Sequence, residues 1–269
     1  MSIPGPAVRP RFAGLRDLRL VRKELRYEQI SFWLNPVMAL FTLVFSLVFL
    51  VILAGAAGSA RISYLGNIKL IQYYVPGLIA YGVMAACFTM LAINLVNRRE
   101  AGLLKRLRLS PLPAWALLTA IFLSMLIVAL IQVGLMLAVG RLGYGVRLPS
   151  HPATLAALGV GLLIGVISFT ALGVGMSTLI PNADSAGPLI ATVFFVMLGL
   201  SGFWFPIKSG TLLARIATWF PVRHFILALF TPFNAQGGSP WAWPDLRNVA
   251  IWGAIGCVVA VWRFRWSPR

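Results

Sequence analysis

The sequence predicts an all-α polytopic membrane protein: six transmembrane helices, an N-terminal amphipathic helix at the interface, and two short re-entrant helices between spans five and six. Three observations predict it. First, 59% of the 269 residues are hydrophobic and only 11% are charged, with a mean hydropathy of +0.88. A soluble domain does not carry that much apolar surface. Second, the apolar residues gather into six runs, at about 37–56, 75–96, 114–139, 153–180, 188–205 and 246–262, each near the roughly 20 residues that cross a bilayer. Third, the 23 basic residues lie almost wholly outside these runs. Fifteen fall on the N-terminus, the second connection and the C-terminus, and eight on the alternate connections. That bias places both termini in the cytoplasm. The net charge of +17 is thereby explained by orientation and anionic headgroups, without nucleic acid.

Residues 1–34 form a cytoplasmic segment, and 35–269 a single transmembrane domain. No apolar stretch in the first 30 residues reads as a cleavable signal peptide. Leu15 to Trp33 reads as a helix with three stripes. Leu18, Val21, Leu25 and Phe32 form an apolar side, and Arg16, Arg19, Arg22, Lys23 and Arg26 a basic one. Asp17, Glu24 and Glu28 form an acidic line at i, i+7 and i+11. Such a helix lies on the membrane with its basic side near lipid phosphates. The acidic line is then either free for a protein partner or engaged in ion pairs with neighbouring arginines.

Asn35-Pro36 marks the turn into span one, and 55–74 is read as an outer connection. Span two opens with Tyr73, Tyr74 and Pro76-Gly77, aromatic and turn residues suited to an interface. Gly140 to Pro152 is a second outer connection. Span four is rich in small residues, including the Gly161–Gly165 pair that allows close helix approach. Pro181 to Gly187 is an inner turn. Thr211–Phe220 and Val222–Phe230, set among prolines, are too short to span and read as half-buried helices that enter the bilayer and return.

The connection after span two, Asn97 to Pro113, concentrates Arg98, Arg99, Lys105, Arg106 and Arg108 around a single acid, Glu100. A charge at the bilayer centre costs at least about 2.5–3.5 kcal/mol, so this stretch faces water. Leu103, Leu104 and Leu107 share a helix face, which predicts a short amphipathic helix from Glu100 to Leu109 ended by Ser110-Pro111. Glu100 is expected either to cap a helix start or to pair with a basic residue of a partner.

The spans hold essentially no ionisable residue, which argues against ion-coupled transport. No G-x-x-x-x-G-K-[ST] phosphate loop is present, so the chain has no ATP site of that kind. His151 and His224 have no neighbouring ligands in sequence, and Cys87 and Cys257 lie in apolar runs. Neither a metal site nor a catalytic set is predicted, and the chain is not read as an enzyme.

Several segments together carry a family resemblance. They are Tyr74-Val75-Pro76-Gly77, Arg99-Glu100-Ala101-Gly102 with Lys105-Arg106-Leu107 and Ser110-Pro111-Leu112, Leu200 to Pro206, and the closing Arg263-Phe264-Arg265-Trp266. In this order they resemble the membrane subunit of ABC-2 type exporters, in the daunorubicin-exporter-like branch. Ala101 and Leu103 depart from the polar residues often found there. The resemblance implies a multi-pass permease of the cytoplasmic membrane, with cytoplasmic termini and no cofactor of its own. ATP and magnesium would belong to a separate ABC-type ATPase. It also implies that Arg99, Glu100, Gly102, Lys105, Arg106 and Pro111 form a coupling helix docking on that ATPase. Asp17, Glu24 and Glu28 would meet the same partner, and a second permease copy would help enclose the path. The expected cargo is an amphiphilic drug, lipid or glycan-type substrate. The alternative is a membrane scaffold or sensor that binds a cytoplasmic partner and transports nothing. A lipid-modifying enzyme is disfavoured by the missing carboxylates and histidines.

Overall fold

The computed structural model describes residues 15–58, 60–63, 67–103, 114–204, 207, 210–235 and 238–263. Helix α1 spans Leu15–Trp33, as the sequence predicts. A turn at Leu34 and Asn35 leads into α2 (residues 36–57), a continuous helix with a π-helical stretch at Leu40–Val44. A two-stranded antiparallel hairpin follows, β1 (Arg61–Ile62) with β2 (Ile68–Lys69). Then come α3 (Leu70–Glu100), α4 (Ala114–Tyr144), α5 (Pro152–Leu179), α6 (Ala183–Gly199), α7 (Leu212–Ala217), α8 (Pro221–Asn234) and α9 (Trp243–Arg263).

The chain is a multi-pass membrane protein of helices. Among the described residues four helices, α3, α4, α5 and α9, are long and apolar enough to cross a membrane. The apolar part of α2, Thr42–Ala56, and α6 are shorter. Helix α3 is the centre of the molecule. Every residue from Ile71 to Thr89 is buried, and α2, α4, α5, α6 and α8 surround it. A helix apolar on all sides has no face that prefers water, and α3 meets that condition by being enclosed in protein.

The central position explains several departures from expectation. Tyr73, Tyr74, Pro76 and Gly77 do not form a turn. They lie inside α3 and are buried. The Tyr73 hydroxyl donates to the Gly202 carbonyl at 2.6 Å, and Tyr74 to the Trp204 carbonyl at 3.4 Å. Pro76 sits in the second turn, where its missing N–H removes only one intrahelical bond. The ring of Phe203 packs beside Gly77, where the absence of a side chain leaves room.

Helix ends also move. Helix α4 runs past Gly140 to Tyr144, and Gly145, at φ +63°, stops it. The Gly145 N–H donates to the Arg141 carbonyl and the Val146 N–H to the Gly140 carbonyl, so two carbonyls of the last turns that the helix itself would leave bare are satisfied by the chain just beyond it. The turn before α6 is shorter than predicted. Asn182 caps the helix by accepting from the Ser185 N–H at 2.9 Å, so α6 starts at Ala183 and takes Pro188 into its interior. The N-cap wins because it satisfies a donor that the helix would otherwise leave bare.

The most extensive helix pairing is α5 with α9, and glycines set its closeness. Gly253 lies against Ser168, Gly256 against the backbone of Ala171 and Leu172, and Gly175 against the Gly256 carbonyl. The expected Gly161–Gly165 pair serves a different partner: Gly165 receives the ring of Phe225 and Gly161 the side chains of Leu229 and Leu246. Helix α8 thus wedges against α5.

Candidate coupling site

The last turn of α3 ends on three consecutive charged residues, Arg98, Arg99 and Glu100. Successive helix residues point about 100° apart, so each reaches a different neighbour. Arg98 turns toward α1. Its guanidinium donates to both carboxylate oxygens of Glu28, at 2.5 and 3.0 Å, and to the Ser31 hydroxyl at 3.3 Å. This is a forked, charge-assisted pair, with 18% and 8% of the two side chains exposed.

Arg99 turns toward the end of α5 and is 8% exposed. It donates to the carbonyls of Ser177 at 3.1 Å, Ile180 at 2.6 Å and Pro181 at 3.3 Å. The last carbonyls of a helix have no intrahelical donor and carry the negative end of its dipole. A planar guanidinium with five N–H groups can serve several of them at once. Glu100 turns toward α6. Its carboxylate accepts from the Ala183 N–H at 2.7 Å, one of the bare donors at the positive end of that helix. One helical turn therefore holds α1, the C-terminus of α5 and the N-terminus of α6 together.

Gly102 closes the turn at φ +68°. The Ala101 N–H donates to the Asn97 carbonyl and the Gly102 N–H to the Arg99 carbonyl. The expected helix over 100–109 is corrected at its start: Glu100 is the last residue of α3, and Gly102 breaks the chain's helical path there. Residues 104–113, which hold the rest of that expected helix from Leu104 on, with Lys105 and Arg106, and Pro111 beyond it, lie outside the described residues.

Of the acidic line on α1, Glu28 points into the protein, since Arg98 stands opposite it. That partner is an arginine of α3, not a neighbouring arginine of α1. Glu24, one turn earlier, is half-buried. Burial, and then the nearby Glu28 charge, hold its carboxyl above the usual carboxylate range. The backbone of Asp17 lies in α1. Helix α1 is further fixed to α4 by Gln29, whose amide donates to the Ser124 carbonyl and hydroxyl at 3.1 and 2.9 Å. Arg22, Lys23 and Arg26 stay exposed. The sequence reading missed the Arg98–Glu28 link. The signal was present: an arginine directly after an apolar span needs an anion, and Glu28 is one of only six acids in the chain.

A site that binds helices through one end of a buried central helix suits a protein that changes shape across a membrane. A family model described as ABC-2 family transporter protein matches residues 63–262. The chain belongs to this ABC-2 family. The match includes Arg98, Arg99 and Glu100 and leaves α1 and α2 outside it. Among relatives of this ABC-2 protein, a Bacillus subtilis (strain 168) protein named as a transport permease, YvfS, is 25% identical over 176 residues. Those residues are 65% of this chain and 69% of the relative. An Escherichia coli (strain K12) protein named as a multidrug ABC transporter permease, YbhR, is 28% identical over 165 residues, 60% of this chain and 44% of that protein. The aligned part thus spans less than half of the E. coli relative.

Proposed function

We propose that this ABC-2 protein is the permease subunit of an ATP-driven exporter and that the α3 C-terminal turn transmits motion from a separate ATPase. The observation that carries this is the three-way attachment of Arg98, Arg99 and Glu100 to α1, α5 and α6. A displacement of the chain just after Gly102 pulls on all three helices at once, because charge-assisted bonds of this kind are worth about 1.5–3 kcal/mol each. In this reading the turn faces the cytoplasm of a bacterial plasma membrane. Six helices span, with α2 and α6 as spans one and five, α7 and α8 enter and return, and both termini are cytoplasmic. Lys105, Arg106 and Pro111 meet the ATPase, with Asp17 and Glu24 beside them, and ATP and magnesium stay on that partner. A second permease copy completes the path. The E. coli relative's name, with the aromatic, uncharged core here, favours an amphiphilic cargo such as a drug, lipid or glycan conjugate.

The test is cargo-stimulated ATP hydrolysis and export by the reconstituted complex. Arg106→Ala is expected to reduce both severalfold with assembly in the membrane unchanged. Glu100→Gln is expected to do the same, through its hold on α6. Parental rates from both variants would leave Arg106 as an ordinary positive-inside residue and Glu100 as a structural link to α6, and would remove the coupling role.

A further inference from the structure

Four permanent cations converge on one cavity at the α3 N-terminal end and meet no carboxylate there. The cavity has a volume of about 640 Å³. Arg61 and Lys69 enter from the hairpin, Arg141 from the end of α4, and Arg147 from the connection to α5. No acid lines it. The whole chain has six acids, and none is among the described residues that line it. Asp17, Glu24 and Glu28 are on α1, and Glu100 and Asp184 are at the opposite end of the molecule. Asp245 is engaged with His224. The rise of an α-helix puts Arg98, and Glu28 with it, about 42 Å from Leu70.

Each ordinary explanation for these cations covers at most one of them. The dipole of α4 favours Arg141, which lies in its last turn. Arg61 and Lys69 are directly opposite each other across the hairpin, and like charges in that position repel. The Asn67 carbonyl, 3.4 Å from an Arg61 nitrogen, offsets this only weakly. If this end faces outward, as in the transport reading, the positive-inside rule also disfavours basic residues here. The site is nevertheless built rigidly. The buried Gln72 amide donates to the Arg147 carbonyl at 2.8 Å, and its oxygen accepts the Arg147 N–H at 2.9 Å. The backbone bonds from Gly145 to Arg141 and from Val146 to Gly140 fix the same segment from the other side.

We propose that this cavity binds a phosphate-bearing anion. Several guanidinium and ammonium groups around one hollow match the charge and oxygen geometry of a phosphate ester. The volume exceeds that of a lone ion and falls in the range of pockets that enclose a small molecule. The cavity stands at the end of a 31-residue helix, the level of lipid headgroups, so the phosphate comes either from a lipid or from a soluble phosphoryl compound. The inference goes beyond transport and is tested without it.

The experiment is direct titration of the purified full chain in a detergent free of anionic lipid. One arm uses glycerol 1-phosphate, and the other uses short-chain phosphatidylglycerol against short-chain phosphatidylcholine. The parent is expected to bind at least one phosphate probe, with phosphatidylcholine no better than background. Binding of glycerol 1-phosphate assigns a soluble source, and binding of phosphatidylglycerol alone assigns a headgroup. The triple variant K69Q/R141Q/R147Q is expected to lose about tenfold or more in affinity. R215Q, which removes an exposed cation away from the cavity, is expected to lose less than about twofold. If the triple variant does not purify folded, R141Q and R147Q singly carry the same comparison, and R141K/R147K is expected to retain binding. The proposal is overturned if the parent binds neither probe. It is equally overturned if the cavity variants bind like the parent, or if R215Q weakens binding as much as they do.

Discussion

Arg99 shows how much a single residue type can decide. Its three carbonyl partners come from Ser177, Ile180 and Pro181, spread over the end of one helix and the turn beyond it. Only a planar fork reaches such a set, so arginine and lysine are not equivalent here. Arg99→Lys keeps the charge and loses the fork. We expect it to destabilise the protein by about 1.5–3 kcal/mol, the worth of one charged hydrogen bond, read as a lowered thermal midpoint in detergent. A midpoint equal to the parent's would show that the charge alone matters. Glu28 and Glu24, one turn apart on α1, differ for a similar reason. Glu28 has the Arg98 fork, whereas Glu24 is half-buried beside a like charge and keeps its proton more readily.

At the level of elements, two contacts hold the C-terminal half together. The first is the glycine seam between α5 and α9. A side chain on Gly256 would press into the Ala171–Leu172 backbone, which cannot move aside as a flexible side chain can. Gly256→Leu is therefore expected to separate the helices and cost about 1–3 kcal/mol, as overpacking does, while Gly159→Leu, with open space around it, leaves the thermal midpoint near the parent's. The second contact joins α8 to α9. His224 Nδ1 lies 2.6 Å from an Asp245 carboxylate oxygen, and Nε2 lies 2.9 Å from the Thr218 carbonyl. Both partners are acceptors, so only the doubly protonated imidazolium satisfies both. The Asp245 hydrogen bond accordingly raises the His224 pKa above its ordinary value of 6.5. The sign follows from linkage. The stabilisation is fully present below the unfolded value of 6.5 and is lost as pH rises through the higher folded value. Thermal midpoints measured from pH 6 upward should fall in the parent more steeply than in His224→Gln. Parallel curves would show that the pair has no net effect.

For the whole molecule, the arrangement around α3 makes orientation a single question: fixing one end of that helix fixes every other connection. In a chain whose exposed Cys257 is replaced by serine, cysteines at Ser63 and Ser150 should react with an impermeant thiol reagent on intact cells. Both positions are exposed, near the α3 N-terminal end and in the connection from α4 to α5. A cysteine at Ser110, in the basic connection after α3, should not react. Labelling at Ser110 from outside would reverse the orientation and remove the proposed ATPase contact with it.

The sequence by itself determined the class, the helix order and most spans. These follow from hydropathy and charge, which are sums over residues and do not depend on what each residue touches. Helix α1 matches its predicted range, and α5 lies within one residue of the predicted 153–180 at each end. Tertiary structure alone decided which apolar helix sits at the centre. Span two resembles its neighbours in hydropathy, and only packing shows α3 enclosed. It also decided where the charges go. Arg98 and Glu28 are 70 residues apart, and Glu100 and Ala183 are 83 apart. Local spacing cannot report such pairs, because helices long enough to cross a bilayer bring distant residues to one level. The four cations of the α3 N-terminal cavity were legible one by one as loop residues. Only the fold gathers them into one hollow and leaves all six acids elsewhere.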